Sequence, residues 1–411
     1  MMNCGLLGKT LSHSYSPQIH RLLGDYSYDL YEKSEEELEA FLTSGTFHGL
    51  NVTIPYKKAV ISYCKALSPQ AKKLGAVNTI LRQPDGSLIG HNTDYFGFLS
   101  MVEHTGLSLE NKKVLVLGSG GASNTVVAVL DELKAIPIVI SRHGQNNYDN
   151  LHLHKDCKAI VNATPVGMYP NNGISPIDLS LLPQLEAVLD LIYNPAKTQL
   201  ILDAEARGLK TENGLWMLVA QAKESAEWFC GCQIANDKIA QIHQKLNTSM
   251  KNIILIGMPG CGKSTVGKLL SQKCNRPFID ADGCIEELAG CTIPQIFANE
   301  GENPFRAYET QVLAKLSKAS GTIIATGGGC VTREENAPLL KQNSQIVWLK
   351  REIQSLPTSG RPLSQSHNLR QMYDIRKPLY EKMADLIIEN QGSPDQTAEE
   401  IIIKLQLEES Q

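Results

Sequence analysis

The run Gly257-Met-Pro-Gly260-Cys261-Gly262-Lys263-Ser264-Thr265 has the composition and spacing of a phosphate cradle. It follows the apolar stretch Asn252-Ile-Ile-Leu-Ile256 and opens onto a helical pattern, Val266-Gly-Lys-Leu-Leu270. Glycines let the main chain wrap closely round phosphate oxygens, and successive N–H groups at a helix start point at the anion. Lys263 suits the outer phosphates and Ser264 a Mg²⁺ ion, so Gly257, Gly260, Cys261, Gly262, Lys263, Ser264 and Thr265 are expected at a nucleotide. Cys261 reads as a small residue tolerated in the loop rather than a redox switch. Two acids, Asp280 and Asp282, stand at alternate positions after Pro277-Phe-Ile. That spacing suits a metal or a substrate hydroxyl, and it suits a helix-start cap equally well.

A second glycine turn lies upstream. Lys112-Lys-Val-Leu-Val-Leu-Gly118-Ser-Gly120-Gly121-Ala122 reads as strand, turn and helix start, the form of a dinucleotide site. Alone it fits a structural turn almost as well, but the next apolar run, Ile136 to Ile140, ends in Ser141-Arg142-His143. A carboxylate there would accept from the ribose hydroxyl of NAD, whereas Arg142 suits the 2′-phosphate of NADP. A carbonyl reduction also needs a proton donor at the oxygen that gains charge, and Lys57 paired with Asp94 can supply one. Spacing alone does not separate that pair from a surface salt bridge.

These residues need elements to hold them. Val114–Leu117, Ile136–Ile140, Ala159–Val161, Ala187–Leu191, Ile253–Ile256, Ile323–Ala325 and Gln345–Leu349 read as buried parallel strands. Ser34–Thr43, Ala122–Leu133, Leu215–Phe229 and Asp237–Leu246 read as helices. Strands alternating with helices give an α/β chain. Its 411 residues suggest two to four domains at roughly 100–200 residues each. The best boundary is Asn247-Thr-Ser-Met-Lys251, where a polar helix ends and a strand begins, leaving no room for a long tether.

A net charge of −4 gives no electrostatic reason to expect nucleic acid or an anionic membrane. No signal peptide or membrane-spanning run is read. The 10 cysteines lack a metal-type spacing, and Cys230 with Cys232 forms a lone pair of thiols. A reducing, cytoplasmic setting is expected.

The first half resembles shikimate dehydrogenase along nearly its whole length. The resemblance rests on Leu11-Ser-His-Ser14-Tyr-Ser16-Pro-Gln-Ile-His20, Asn51-Val-Thr53-Ile-Pro-Tyr-Lys57, Gly75-Ala-Val-Asn78-Thr79 and Asn92-Thr-Asp94. It continues through Asn162-Ala-Thr164-Pro-Val-Gly-Met168, Tyr193 after Asp190-Leu-Ile, and Gly214-Leu-Trp-Met-Leu-Val-Ala-Gln221. It implies NADPH-dependent reduction of 3-dehydroshikimate to shikimate, with Lys57 and Asp94 catalytic. Ser14 and Ser16 would hold the substrate carboxylate, and Thr53, Asn78, Asp94, Tyr193 and Gln221 the ring. Gly118, Gly120, Gly121, Ala122, Arg142, Thr164 and Gly214 would bind NADP(H). The family pattern has a second basic residue after the second cofactor strand, where this chain has Arg142 alone.

The second half resembles shikimate kinase over about residues 251–405. Besides the glycine loop, the match rests on Asp280-Ala-Asp282, Gly301-Glu-Asn-Pro-Phe-Arg306-Ala-Tyr-Glu309, Thr326-Gly-Gly328-Gly329, Gly360-Arg361-Pro-Leu363 and Ile375-Arg376-Lys-Pro-Leu-Tyr380. It implies phosphoryl transfer from ATP to the 3-hydroxyl of shikimate. Asp282 would hold that hydroxyl and orient or deprotonate it, with Lys263 and Arg361 also catalytic. Ser264 and Asp280 would serve Mg²⁺, Arg306 and Arg376 the carboxylate, Glu309 the orientation of Arg306, and Gly328 and Gly329 the ring. The segment before Arg361 is shorter than the family's, with no second arginine from Glu352 to Gly360.

Together these imply a substrate α/β domain (1–100 and 214–246), a Rossmann NADP domain (101–213) and a P-loop kinase domain with a parallel sheet (247–411). The partners expected are 3-dehydroshikimate and shikimate, with the chain a monomer or a homodimer. Two alternatives stay open: one half is a non-catalytic binding module, or the substrates are quinate or another polyol.

Overall fold

A computed structural model describes residues 2–11, 14–356 and 369–408. The chain forms two compact units. One runs up to Val166 and takes in Ser175–Tyr193 and Asp203–Lys245; the other comprises Gly167–Ile174, Asn194–Leu202 and the chain from Leu246 onward.

The first unit holds two sheets. Strands β1 (Asn3–Gly8), β2 (Ser27–Glu32), β3 (Gly49–Val52), β4 (Ala66–Leu67), β5 (Thr79–Arg82) and β6 (Leu88–His91) form a mixed sheet in the order β2-β1-β3-β5-β6-β4. Only β5 runs against its neighbours. Leu7, Leu50, Val52, Val60, Val77 and Ile80 fill its core. Strands β7 (Lys113–Leu117), β8 (Ile136–Ile140), β9 (Ala159–Asn162), β10 (Ala187–Asp190) and β11 (Lys210–Asn213) form a parallel sheet in the order β11-β10-β9-β7-β8. Its centre is buried on both faces, so the Val114-Leu-Val-Leu117 run shows no alternation and all four side chains are inaccessible.

Helix Asp94–Thr105 packs along helix Leu215–Cys230. Their closest approach needs Gly97, where a Cβ would stand 2.8 Å from the Met217 carbonyl oxygen and 2.9 Å from Gln221 Cβ. That contact sets Gln221 against the start of the Asp94 helix.

The second unit is built on β12 (Asn252–Ile256), β13 (Phe278–Asp280), β14 (Ile323–Ala325), β15 (Ser344–Lys350) and β16 (Leu386–Glu389). All are parallel, in the order β13-β14-β12-β15-β16. Ile254, Leu255, Leu270, Ile346 and Trp348 lie in its core.

The expected strands form within a residue or so of their predicted ends. Two helices differ. The segment read as Ser34–Thr43 is helical only over Leu38–Thr43, because the Ser34 N–H donates to Glu37 Oε2 at 2.9 Å and closes a turn first. The helix read as Asp237–Leu246 runs on to Met250. Ile239, Ile242, Leu246 and Met250 are all buried at helical spacing, which outweighs the polar Asn247-Thr-Ser249 between them. Among the described residues no helix is long and apolar enough to cross a membrane.

Candidate active sites

In the first unit Lys57, five residues beyond β3, donates to Asp94 Oδ2 at 2.6 Å. The two side chains are 32% and 18% exposed. The pair is thus part-buried, with the lysine the more accessible member. Asn78 Nδ2 donates to Asp94 Oδ1 at 2.9 Å and reaches Gln221 Oε1 at 3.4 Å. Lys57, Asp94, Asn78 and Gln221 thus form one connected polar chain with an ammonium at its accessible end.

Buried residues fix that chain. The Thr93 N–H donates to Asn78 Oδ1 at 2.7 Å, and Thr79 Oγ1 donates to the same oxygen at 3.1 Å. Asn51 Nδ2 donates to Thr79 Oγ1 at 3.2 Å, while Asn51 Oδ1 accepts from Tyr28 Oη at 2.7 Å. The sequence reading missed Thr93, Thr79 and Asn51 as supports. All three lie inside the quoted motifs, but only the folded sheet shows which way their side chains face.

Ser16 opens helix Ser16–Leu23, and its main-chain N–H donates to Ser14 Oγ at 3.2 Å, which holds the Ser14 hydroxyl at the helix start; the Ser16 side chain itself is buried. Tyr193, beyond β10, meets Tyr15 edge-on with ring centroids 6.2 Å apart. Burial, then the neighbouring Tyr15, raises the Tyr193 phenol above its ordinary value. Thr53 directly follows β3, its N–H bonded to the Leu7 carbonyl at 2.9 Å.

The cofactor candidates all follow C-terminal strand ends of the parallel sheet, where open α/β sheets bind ligands. Gly118, Gly120, Gly121 and Ala122 follow β7. No atom stands within 4 Å of a notional Cβ on Gly120 or Gly121, so the main chain there is open to approach. Thr164 follows β9 and donates to Asn162 Oδ1 at 2.7 Å. Gly214 follows β11 and has a packing reason of its own: a Cβ would stand 2.0 Å from the Leu191 carbonyl oxygen. Arg142 is exposed beyond β8, in a turn closed by the Ser141 N–H to the Asn146 carbonyl at 3.1 Å. Arg142→Asp is expected to raise KM for NADPH by about tenfold or more and leave KM for NADH little changed. Equal losses with both, measured by steady-state kinetics, would show that Arg142 does not read the 2′-phosphate.

In the second unit a cavity of about 530 Å³ gathers Lys263, Ser264, Thr265, Asp282, Arg306 and Arg376. The main chain of Gly260, Gly262, Gly328 and Gly329 completes its wall. Ser264 Oγ donates to Asp280 Oδ2 at 2.6 Å. Asp280 also caps helix Ala281–Ala289, its Oδ1 accepting the Asp282 N–H at 3.1 Å. The helix-cap reading of the acid pair is thus realised at Asp280. Lys263 is buried along the loop and donates to the carbonyls of Gly257 at 2.9 Å and Met258 at 3.1 Å. Cys261 is wholly buried, its N–H bonded to the Met258 carbonyl at 3.2 Å and its carbonyl accepting from Asn390 Nδ2 at 2.5 Å, so it shapes the loop from within. Arg361 lies outside the described residues.

Arg306 donates to Glu309 Oε2 at 2.9 Å and to Glu302 Oε1 at 3.1 Å. Burial works against the guanidinium, but Glu309 and then Glu302 outweigh it and hold its pKa above the ordinary value. A Cβ on Gly329 would stand 2.2 Å from both terminal nitrogens of Arg306, so only glycine leaves that guanidinium in place. Asp282 Oδ1 and Glu309 Oε1 are buried without a hydrogen-bond partner among the described residues. Burial raises the Asp282 carboxyl above the usual range; Asp280 and Glu286 add to this, while Lys263 and Arg306 oppose it. A buried acceptor without a donor is costly, and Asp282 is also one of the residues that line the cavity.

Residues 6–80 match the model of the shikimate dehydrogenase substrate-binding domain, and residues 259–406 match that of shikimate kinase. The NADP-dependent shikimate dehydrogenase of Clostridium perfringens strain SM101 is 34% identical over 264 residues, covering 59% of this chain and 97% of that protein. The chain belongs to the shikimate dehydrogenase family. A solved neighbour, shikimate dehydrogenase 1 of Peptoclostridium difficile, is 38% identical with a TM-score of 0.54, covering 60% of this chain and 97% of that one. The shikimate 5-dehydrogenase of Thermus thermophilus, solved with NADP(H) and shikimate, is 31% identical with a TM-score of 0.54, covering 60% of this chain and 99% of that one. Beyond the part that these dehydrogenases cover, the chain carries the shikimate kinase domain.

Proposed function

We propose that this chain carries out two consecutive steps: it reduces 3-dehydroshikimate to shikimate with NADPH, then phosphorylates the shikimate 3-hydroxyl with ATP. The observation that carries the reading is the fit of two separate sites to one ring acid. The first offers the Ser14 and Ser16 hydroxyls and the Lys57–Asp94–Asn78–Gln221 chain. The second offers Arg306, Arg376 and an unpartnered Asp282 oxygen beside a phosphate-binding loop.

In the first site NADPH, when bound, supplies the hydride. Ser14 and Ser16 hold the substrate carboxylate while Asn78, Asp94 and Gln221 hold ring hydroxyls, with Thr53 and Tyr193 completing the contacts. Lys57 gives a proton from Nζ to the oxygen that gains charge, and Asp94 keeps the ammonium aimed. Gly118, Gly120, Gly121, Ala122, Thr164 and Gly214 hold the dinucleotide, and Arg142 the 2′-phosphate.

In the second site Arg306 and Arg376 hold the carboxylate, Glu309 fixes Arg306, and Gly328 and Gly329 let the ring lie against main chain. Asp282 accepts the proton of the 3-hydroxyl as its oxygen attacks the γ-phosphorus and the bond to the bridging oxygen of ADP breaks. Lys263 and Arg361 offset the charge on the transferred group, and the remaining loop residues cradle the phosphates. Ser264 and Asp280, already 2.6 Å apart, would hold Mg²⁺, which neutralises phosphate charge when bound. Among the described residues no three His, Cys, Asp or Glu side chains cluster into a metal cage. A Mg²⁺ ion shared with phosphates needs none. The cytosol is the compartment proposed, in keeping with ten cysteines of which none is in a disulfide.

Substrate choice is tested by assaying each half-reaction alone, 3-dehydroshikimate against 3-dehydroquinate and shikimate against quinate. A preference of the purified chain for the quinate series would overturn the reading.

A further inference from the structure

Arg351 belongs to none of the motifs above, yet it lines the same cavity as Lys263, Arg306 and Arg376. Sheet geometry puts it there. In the parallel pairing of β12 with β15, Ile256 stands opposite Trp348. Arg351 directly follows β15, and Pro259 in the glycine loop follows β12 by three residues; both line the cavity. The chain leaves β12 toward β13 on one side of the sheet and leaves β15 toward β16 on the other. The crevice beyond the C-terminal ends of β12 and β15 is therefore a topological switch point, where parallel α/β sheets take their ligands.

Among the described residues the guanidinium at that crevice has no partner. Arg306 is paired with two glutamates, and Lys263 is bonded to two carbonyls. Arg351 makes no hydrogen bond or ion pair with any described residue, although Lys350 beside it is paired to Glu389 at 2.6 Å. It is only partly exposed. A half-buried guanidinium without a carboxylate, in a cavity already holding three other cations, has a clear electrostatic use when a polyanion enters. Its planar fork matches phosphate oxygens.

We propose that Arg351 binds the phosphate chain of the nucleoside triphosphate from the β15 side, across from Lys263 and the glycine-loop N–H groups. The proposal rests on the nucleotide half of the reading above and not on the identity of the acceptor.

The test is titration of the full chain with Mg²⁺ and a non-hydrolysable ATP analogue, for wild type, Arg351→Gln and Arg351→Lys, followed by shikimate kinase kinetics. Loss of a charge-assisted phosphate contact should weaken analogue binding by about tenfold or more in Arg351→Gln. Arg351→Lys should recover part of that, as a point charge without the fork. KM for ATP should rise in step, with KM for shikimate little changed. Wild-type analogue affinity in Arg351→Gln overturns the proposal, and so does a rise confined to KM for shikimate. Should Arg351→Gln unfold the second unit, seen as loss of its thermal transition, Arg351→Lys decides: affinity equal to wild type would mean that the fork is not used. Binding needs no acceptor, so failure of wild type to phosphorylate shikimate would strike the acceptor assignment and leave the Arg351 result standing.

Discussion

Lys57→Met is expected to lower 3-dehydroshikimate reduction by about 10²- to 10⁴-fold, the span for loss of a positioned proton donor, while phosphorylation of shikimate by the same chain continues. The effect should fall mainly on kcat, because the new charge on the substrate oxygen appears only as hydride arrives. Asp94 acts through the same contact, the 2.6 Å bond to Lys57 Nζ. Lys57→Met combined with Asp94→Asn should therefore be little worse than Lys57→Met alone, since residues acting as a unit do not add. Steady-state kinetics on the three variants checks this. Near-normal kcat in Lys57→Met would remove the lysine from the chemistry and make its pairing structural.

The second large effect is expected at Asp282. Asp282→Asn preserves shape but cannot take a proton from the attacking hydroxyl, and kinase turnover should fall about 10²-fold or more with reduction of 3-dehydroshikimate intact. A pH signature accompanies it. Asp282 works as an acceptor only when ionised. Burial raises its pKa above the ordinary aspartate range, so protonation sets in at a higher pH than for an exposed carboxylate. The wild-type kinase rate should accordingly fall on the acid side as pH drops through that raised value, and Asp282→Asn should lack this limb. A variant that keeps both the rate and the acid limb would assign the proton to another group, with Glu309 the nearest buried carboxylate.

The two glycine loops and the Lys57 and Asp94 motifs were legible because each is local: a few neighbouring residues carry the whole signal. What escaped is non-local. Thr93 orients Asn78 only because β5 and β6 pair antiparallel, with Thr79 opposite His91. Gln221 was named from its motif, but the contact that carries it to Asn78 was not: Gly97 lets two helices touch. Arg351 has no spacing pattern at all, and the register of β12 against β15 alone brings it beside the glycine loop. Asp280 shows a subtler limit, since helix cap and ligand looked like rival readings while the cap uses only one of its two oxygens and the other accepts from Ser264 Oγ. The misjudged helix ends follow the same rule: buried Met250 extends one helix past a polar stretch, and the Ser34–Glu37 turn delays another.

The most direct test of two consecutive reactions in one chain gives the purified protein 3-dehydroshikimate, NADPH and Mg-ATP together, following NADPH absorbance and analysing the products by mass spectrometry. The account predicts loss of NADPH and appearance of shikimate 3-phosphate, with no other enzyme added. Shikimate accumulating without its phosphate, or NADPH remaining untouched, would contradict it.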